Sequence, residues 1–224
     1  MENLINRLTR QLDELIPFLA IAHENVFHLI QRDHNIWLRK EDEKTLPTAY
    51  KVYKKQITHG AFLLGYGYSE AFLADLLRYI YFYNPHMLPD DKQLRFNEIR
   101  SVNSYKAVVK MMVEKEVYSI FAQSIEDVSD YFRKKLNMEW PDQEKEKAIM
   151  ASLIRNCIIH NSAIVDHRLA KKSNNLFCEG DKIALSPTDV HSYGIAIRTL
   201  GHSLWDRVNH AFLKKRRQRK SANK

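Results

Sequence analysis

The chain has 224 residues, 45% of them hydrophobic and 28% charged, which is long and apolar enough for a substantial buried core. Six glycines, six prolines and no Gly- or Ser-rich linker favour one mostly helical domain over residues 1–213. No stretch has the apolar length of a membrane span, and acids interrupt the N-terminus, so the pattern argues against membrane insertion and a signal peptide and favours a cytoplasmic protein.

The basic character of the chain is concentrated at its C-terminus. The formal net charge is +8, but residues 214–224 carry seven basic side chains and no acid, which leaves about +1 for the rest. Such tails are usually disordered and solvated, and they can also bind the phosphates of a nucleic acid. The candidate nucleic-acid-binding residues of the tail are Lys214, Lys215, Arg216, Arg217, Arg219 and Lys220.

Residues 3–32 repeat apolar side chains at helical spacing, and Pro17 should kink this helix or split it in two. The segment 1–46 is interpreted as an N-terminal helical extension. The next helix is predicted from Ala49 to about Tyr83. Its glycines at 60, 65 and 67 indicate the close approach of another helix.

The second half begins, after a loop, with two predicted helices at 94–115 and 117–137. A further helix is predicted at about 144–164. Two short apolar runs within 176–186 flank Glu-Gly-Asp and predict a hairpin. A Ser-Pro-Thr-Asp capping box then opens a last helix, 187–213. The sequence therefore predicts an all-α fold, a helical bundle with a small β-hairpin before the C-terminal helix.

Polar residues interrupt one strongly apolar helix, in the stretch ASLIRNCIIHNSAIVDH at 151–167. Ser152, Asn156 and His160 follow at i, i+4 and i+8, and therefore form one line along the helix. A polar line on an apolar helix must face a polar partner, a wet cleft or a subunit interface.

Arg155 lies five residues before His160, so the two side chains leave a regular helix about 140° apart. They should not converge on one atom if the helix is ideal and acts alone. Either the helix is distorted or ends there, or the site is composite, with two copies of the segment facing each other across a two-fold axis. The composite site explains more of the pattern, because it also buries the apolar flanks.

The run Arg155-Asn156-Cys157-Ile158-Ile159-His160, followed by Asn161, resembles the Arg-polar-x-x-x-His signature of the HEPN superfamily. The helix GYGYSEAFLADLL is similar to the family's second long helix, whose acidic residue corresponds to Glu70. The resemblance covers about residues 47–213.

The resemblance implies a metal-independent endoribonuclease that works as a homodimer, often as a toxin or an anti-phage defence effector. No cofactor and no metal are expected, because RNA supplies its own 2′-hydroxyl nucleophile. His160 would transfer a proton and Arg155 would stabilise charge on the phosphate. Asn156 and Asn161 would orient the histidine or the phosphate, and Glu70 would hold Arg155.

Each of these residues also has a structural interpretation. The histidine can be an ordinary helix residue, Arg155 and Glu70 can form a structural ion pair, and the asparagines can cap or bridge helices. HEPN toxins that are modified by a nucleotidyltransferase antitoxin carry a tyrosine where this chain has Ser162, so any antitoxin must act differently.

Two alternatives to the ribonuclease remain open. One is a HEPN-like protein without catalysis that serves as a dimerisation or nucleic-acid-binding partner in a larger defence or regulatory complex. The other is an unrelated helical scaffold in which the motif is accidental.

Overall fold

The part of the chain that the structure describes is built from helices and short connections. The computed structural model describes residues 3–32, 46–89, 93–100, 102–174 and 176–213. The α-helices within these ranges are α1 (Leu4–Arg32), α2 (Leu46–Tyr83), α3 (Phe96–Arg100), α4 (Tyr105–Phe121), α5 (Ile125–Leu136), α6 (Asp142–His160), α7 (His167–Lys172) and α8 (Pro187–Val208). The all-α prediction is confirmed, and the basic tail at 214–224 lies outside the described residues.

The first two long helices agree with the sequence prediction in outline. Pro17 lies inside α1 without dividing it, since a single missing N–H leaves the rest of a long helix intact. The predicted close approach at the glycines holds for Gly65, where an added Cβ would lie 3.1 Å from a methyl carbon of Leu15. Gly60 and Gly67 face open space.

The middle of the chain differs from the prediction. The expected helix 94–115 is two helices, α3 and α4, and the next boundary falls at Ser124 rather than near residue 116. Ser104 caps α4 by accepting a hydrogen bond from the Ala107 N–H at 3.2 Å. Ser124 and Asp127 form a reciprocal capping box at the start of α5. These serines satisfy N–H groups at the helix starts and thereby set both boundaries.

The predicted hairpin within 176–186 is absent from these described residues. Gly180, with φ +89°, instead completes a turn closed by a 3.1 Å hydrogen bond from the Asp181 N–H to the Cys178 carbonyl. The second apolar run then pairs with the chain that follows α6, through an antiparallel bridge between Ile164 and Lys182. The second apolar run therefore pairs with the segment that follows α6, and not with the first apolar run, which is its neighbour in the sequence.

The last helix begins as predicted. The Ser186 hydroxyl accepts from the Asp189 N–H at 3.1 Å, and the Asp189 carboxylate accepts from the Ser186 N–H at 2.8 Å. The regular helix α8 ends at Val208, and one π-helical turn, Asn209–Leu213, follows it. No helix among the described residues is long and apolar enough to cross a membrane.

The chain separates into two compact units, each assembled from distant segments. Unit 1 comprises residues 1–6, 69–145 and 199–224, and unit 2 comprises residues 7–68 and 146–198. Unit 2 has one apolar core to which α1, α2, α6, α7 and α8 all contribute. Its buried members include Leu15, Phe62, Ile154, Cys157, Leu169, Ile183 and Val190.

Unit 1 encloses a polar chain within its own core. The Tyr81 hydroxyl is hydrogen-bonded to the Tyr131 hydroxyl, which donates in turn to the buried carboxylate of Glu116 at 2.7 Å. Burial raises the pKa of Tyr81 to about 12, and it also raises the pKa of Tyr131. Both phenols therefore keep their protons, which gives the buried carboxylate a hydrogen-bond donor.

Candidate functional site

The segment that carries the motif is anchored in unit 2 by one face of α6. Asp142 and Glu144 lie in the first turn, where negative charge favours the start of a helix. Ala151, Ile154 and Cys157 are fully buried in the core. Arg155 and Asn156 are half-buried beside that face, so the motif lies where the helix leaves the core.

Three motif side chains meet within the single chain. The Arg155 Nη1 donates to the Asn156 Oδ1 at 2.9 Å and lies 3.3 Å from the His160 Nε2. Since a guanidinium nitrogen can only donate, a hydrogen bond here requires the imidazole Nε2 to accept, as it does in the tautomer that carries its proton on Nδ1. Asn156 and His160 together therefore fix one nitrogen of the guanidinium.

This contact corrects the geometric argument made from the sequence. A separation of about 140° on an ideal helix was expected to keep Arg155 and His160 apart. In the structure α6 ends at His160, and the long arginine side chain spans the difference. The first alternative, a helix that ends at the motif, is therefore the one observed. The two-fold arrangement stays a prediction, and the 140° separation no longer supports it.

A tight turn follows the motif and fixes the end of the helix. The Ile164 N–H donates to the Asn161 carbonyl at 2.8 Å, and the two central residues, Ser162 and Ala163, have φ of +53° and +60°. Positive φ at both central positions is the pattern of a type I′ turn. The Asn161 side chain donates to the Ile164 carbonyl at 2.8 Å. Its amide group thus serves the turn, a structural role different from the helix cap or helix bridge considered for it above.

Backbone hydrogen bonds hold this turn against the segment that precedes α8. The Ile183 N–H donates to the Ala163 carbonyl and the Val165 N–H to the Asp181 carbonyl, both at 2.8 Å. No sequence signal pointed to this turn, because Ser162 and Ala163 are not residues that favour left-handed backbone.

The motif opens to solvent at its C-terminal end. His160 and Asn161 are exposed, and Ile159 is 46% exposed despite its apolar side chain. The composition of the segment suggested that it would be buried throughout, but its C-terminal end is exposed. The histidine is accessible to a large substrate.

The cysteine inside the motif is not placed for nucleophilic chemistry. Cys157 is fully buried in the core of unit 2, and burial raises the pKa of its thiol. A thiol kept protonated and away from solvent is a poor nucleophile. Among the described residues, no group of three or more His, Cys, Asp and Glu side chains is placed to hold a metal ion.

The expected roles of the remaining candidate residues stay predictions. Glu70 is half-buried on α2 and belongs to unit 1, whereas the hydrogen bonds of Arg155 go to Asn156 and His160. Its expected role in holding Arg155 stays a prediction. The basic residues of the tail, between Lys214 and Lys220, lie outside the described residues.

Compared with known protein families, with characterised proteins and with solved structures, the chain shows no match. The site is therefore interpreted from its own residues.

Proposed function

We propose that the chain is an endoribonuclease of HEPN type, which cleaves RNA without a metal ion and acts as a homodimer, as a toxin or a defence effector. The observation that supports this proposal most directly is the cluster of Arg155, Asn156 and His160. It combines a cation, an amide and an imidazole that accepts at Nε2, at an exposed helix end.

The cluster has the two groups that 2′-hydroxyl attack on RNA requires. When the bound phosphate draws the guanidinium of Arg155 away from Nε2, a neutral imidazole can use the lone pair at Nε2 to take the proton of the attacking hydroxyl, and its protonated form can return a proton to the leaving 5′-oxygen. The nucleophile comes from the substrate, so no serine, cysteine or metal-bound water has to be supplied.

Arg155 supplies the positive charge for the phosphate. Its Nη1 makes the contacts to Asn156 and His160, which leaves Nε and Nη2 to donate to phosphate oxygens. These donors are held in a fixed plane by the bond to Asn156. A preorganised guanidinium stabilises the charge that builds up on the pentacoordinate phosphorus.

The proposal is tested by cleavage of a panel of RNAs with three purified full-length proteins: wild type, His160→Ala and Arg155→Ala. We expect the histidine variant to lose about 10²- to 10⁴-fold in rate, the size of a proton-transfer contribution. The arginine variant should lose about 10²-fold or more, because charge stabilisation is removed. Products should carry 2′,3′-cyclic phosphate and 5′-hydroxyl ends, excess EDTA should have no effect, and a 2′-deoxy substitution at the cut site should abolish cleavage.

His167→Ala is the matched control, since His167 is another exposed histidine only seven residues further along the chain. Its activity should equal that of wild type. Cleavage that requires Mg²⁺, leaves 5′-phosphates or survives His160→Ala unchanged would contradict the proposed mechanism. Stable binding of RNA without cleavage would instead favour the non-catalytic partner protein.

A further inference from the structure

Three basic side chains on the segments that follow the motif in the chain are exposed and make no ion pair within the described residues. Arg168 and Lys171 lie on α7, and Lys182 lies opposite Ile164 in the antiparallel bridge. The two α7 residues are three apart and so share one face of the helix. Leu169 is fully buried against the core and holds α7 with that basic face outward.

The bridge places Lys182 near the motif although 22 residues separate it from His160 in the sequence. The turn 161–164 keeps its ends within about 7 Å, and bridged residues lie about 5 Å apart. With one further Cα–Cα step of about 3.8 Å, the Lys182 Cα lies within roughly 16 Å of the His160 Cα. Ile183 next to it is fully buried, so alternation along the extended backbone turns Lys182 outward.

Two of the three acids in this region are already engaged. The Asp166 carboxylate caps α7 by accepting from the Leu169 N–H at 2.8 Å, and the Glu179 carboxylate lies 3.0 Å from the His167 Nδ1. The third acid, Asp181, is exposed beside Lys182 and makes no ion pair within the described residues. Residues 167–178 contain no acid at all. The basic side chains therefore face solvent without a paired carboxylate.

We infer that Arg168, Lys171 and Lys182 form a surface that binds the phosphodiester backbone of the RNA substrate. This surface would hold the strand next to the bond that is cleaved with the help of Arg155 and His160. This inference rests on the proposed function, because it assigns to that site the surface that holds its substrate. The cations bind phosphates without reading bases, so they position the strand and contribute little sequence preference.

An anionic membrane is the other polyanion that such a surface could bind. Membrane-surface helices combine basic residues with a broad apolar face that enters the lipid. Among the residues that the structure describes around α7, Leu176 alone is a large, strongly exposed apolar side chain, at 80% exposure. RNA therefore fits the surface better than lipid does.

The test measures binding apart from cleavage. The full-length His160→Ala protein, with and without Arg168→Gln, Lys171→Gln and Lys182→Gln, is titrated with a labelled single-stranded RNA at several salt concentrations. For single strands the slope of log K against log salt changes by about 0.7 for each phosphate contact. We expect the triple substitution to weaken binding at low salt and to reduce the slope by about 2.

The matched control removes the same charge from exposed lysines of unit 1 that also make no ion pair within the described residues, by Lys106→Gln, Lys110→Gln and Lys135→Gln. It should leave the slope close to that of the parent protein. Equal effects of the two triple variants, or no effect of the first, would overturn the inference. Binding to phosphatidylserine vesicles that depends on the three residues, with RNA binding unchanged, would overturn it in favour of lipid.

Cleavage assays in the His160-intact protein separate this inference from the proposed function. If wild type cleaves RNA while the triple variant binds as tightly as its parent, only the binding surface is wrong. If wild type does not cleave but the triple variant loses RNA affinity selectively, the proposed function is wrong and the surface stands. Absence of any RNA binding by the parent protein contradicts both.

Discussion

Among the described histidines of unit 2, His59 is a buried one. It lies on α2 at 3% exposure, is hydrogen-bonded to the backbone of Ile183, and its Nε2 has no hydrogen-bond partner. Burial, and secondly the nearby charge of Lys55, lower the pKa of this side chain below its ordinary value of 6.5. A buried imidazolium would be costly here, so the folded protein keeps His59 neutral.

This lowered pKa predicts a pH-dependent stability. The unfolded chain binds the proton more readily than the folded one, so the contribution of His59 is fully present above pH 6.5 and decreases as the pH falls toward the folded pKa. The free energy of unfolding, measured by urea titration at pH 7.5 and at pH 5, should therefore drop less in His59→Leu than in wild type.

The control for that measurement is His191→Leu, which removes an exposed histidine of unit 2. Its loss of stability between the two pH values should match wild type. If all three proteins lose the same free energy of unfolding, protonation of His59 is not part of the acid sensitivity.

Single residues also show where sequence reasoning about the site failed. The residues of the motif were identified from their type and spacing, but their mutual geometry was not. Ideal helix geometry directs Arg155 and His160 about 140° apart, and a composite site was preferred over a helix that ends at the motif. The helix does end at His160, and the long arginine side chain reaches the imidazole. A spacing rule fixes where a side chain leaves the helix, and the position of a long side chain's tip depends on what it contacts.

The turn after α6 has an unusual backbone conformation. Ser162 and Ala163 adopt left-handed backbone, which is unfavourable for residues with a Cβ by about 1 kcal/mol each. Hydrogen bonds on both sides hold the turn in place, including the 2.9 Å bond from the Ala163 N–H to the Cys157 carbonyl. The strain lies directly beside His160, as strained backbone often does at functional sites.

Substitutions at Ser162 test this strain because the side chain is exposed and contributes little packing. Ser162→Gly should leave stability unchanged or raise it by up to about 1 kcal/mol, since glycine accepts positive φ. Ser162→Val should lower stability by about 1 kcal/mol or more, because a β-branched residue is unfavourable at positive φ. Chemical denaturation measures both, and two variants destabilised to the same extent would show that the turn is not strained in this way.

Among the larger elements, those with a local signal were predicted well. The start of α8 was predicted because Ser186 and Asp189 form a cap from adjacent residues. The predicted hairpin is not seen within the described residues 176–186, because two short apolar runs do not specify which segment each of them pairs with. Which segment supplies the partner depends on contacts far along the chain, here between Ile164 and Lys182.

At the scale of the whole molecule, the sequence predicted the all-α class but left the assembly open. The exposed end of α6 carries Ile159, at 46% exposure, between the buried Cys157 and the exposed His160. An apolar side chain in this position would be covered if two copies met at the motif. Such an interface would be isologous, so each residue would occur twice and both Arg155–His160 pairs would line one groove.

The dimer prediction is tested by the mass of the protein in solution. Wild type should have twice the chain mass of 26.4 kDa by light scattering at micromolar concentration, and Ile159→Lys should shift it to the monomer. The new charge would appear on both sides of the two-fold axis, where it would be desolvated and would repel its copy. Since Ile159 is already partly exposed, the monomer should keep its fold, which circular dichroism checks.

Tyr118→Lys, at an 80% exposed position of α4, is the control and should stay dimeric. A monomeric wild type would contradict the dimer and remove the two-fold groove from the mechanism. A dimer that tolerates Ile159→Lys but dissociates with Tyr118→Lys would place the contact elsewhere and remove the groove as well.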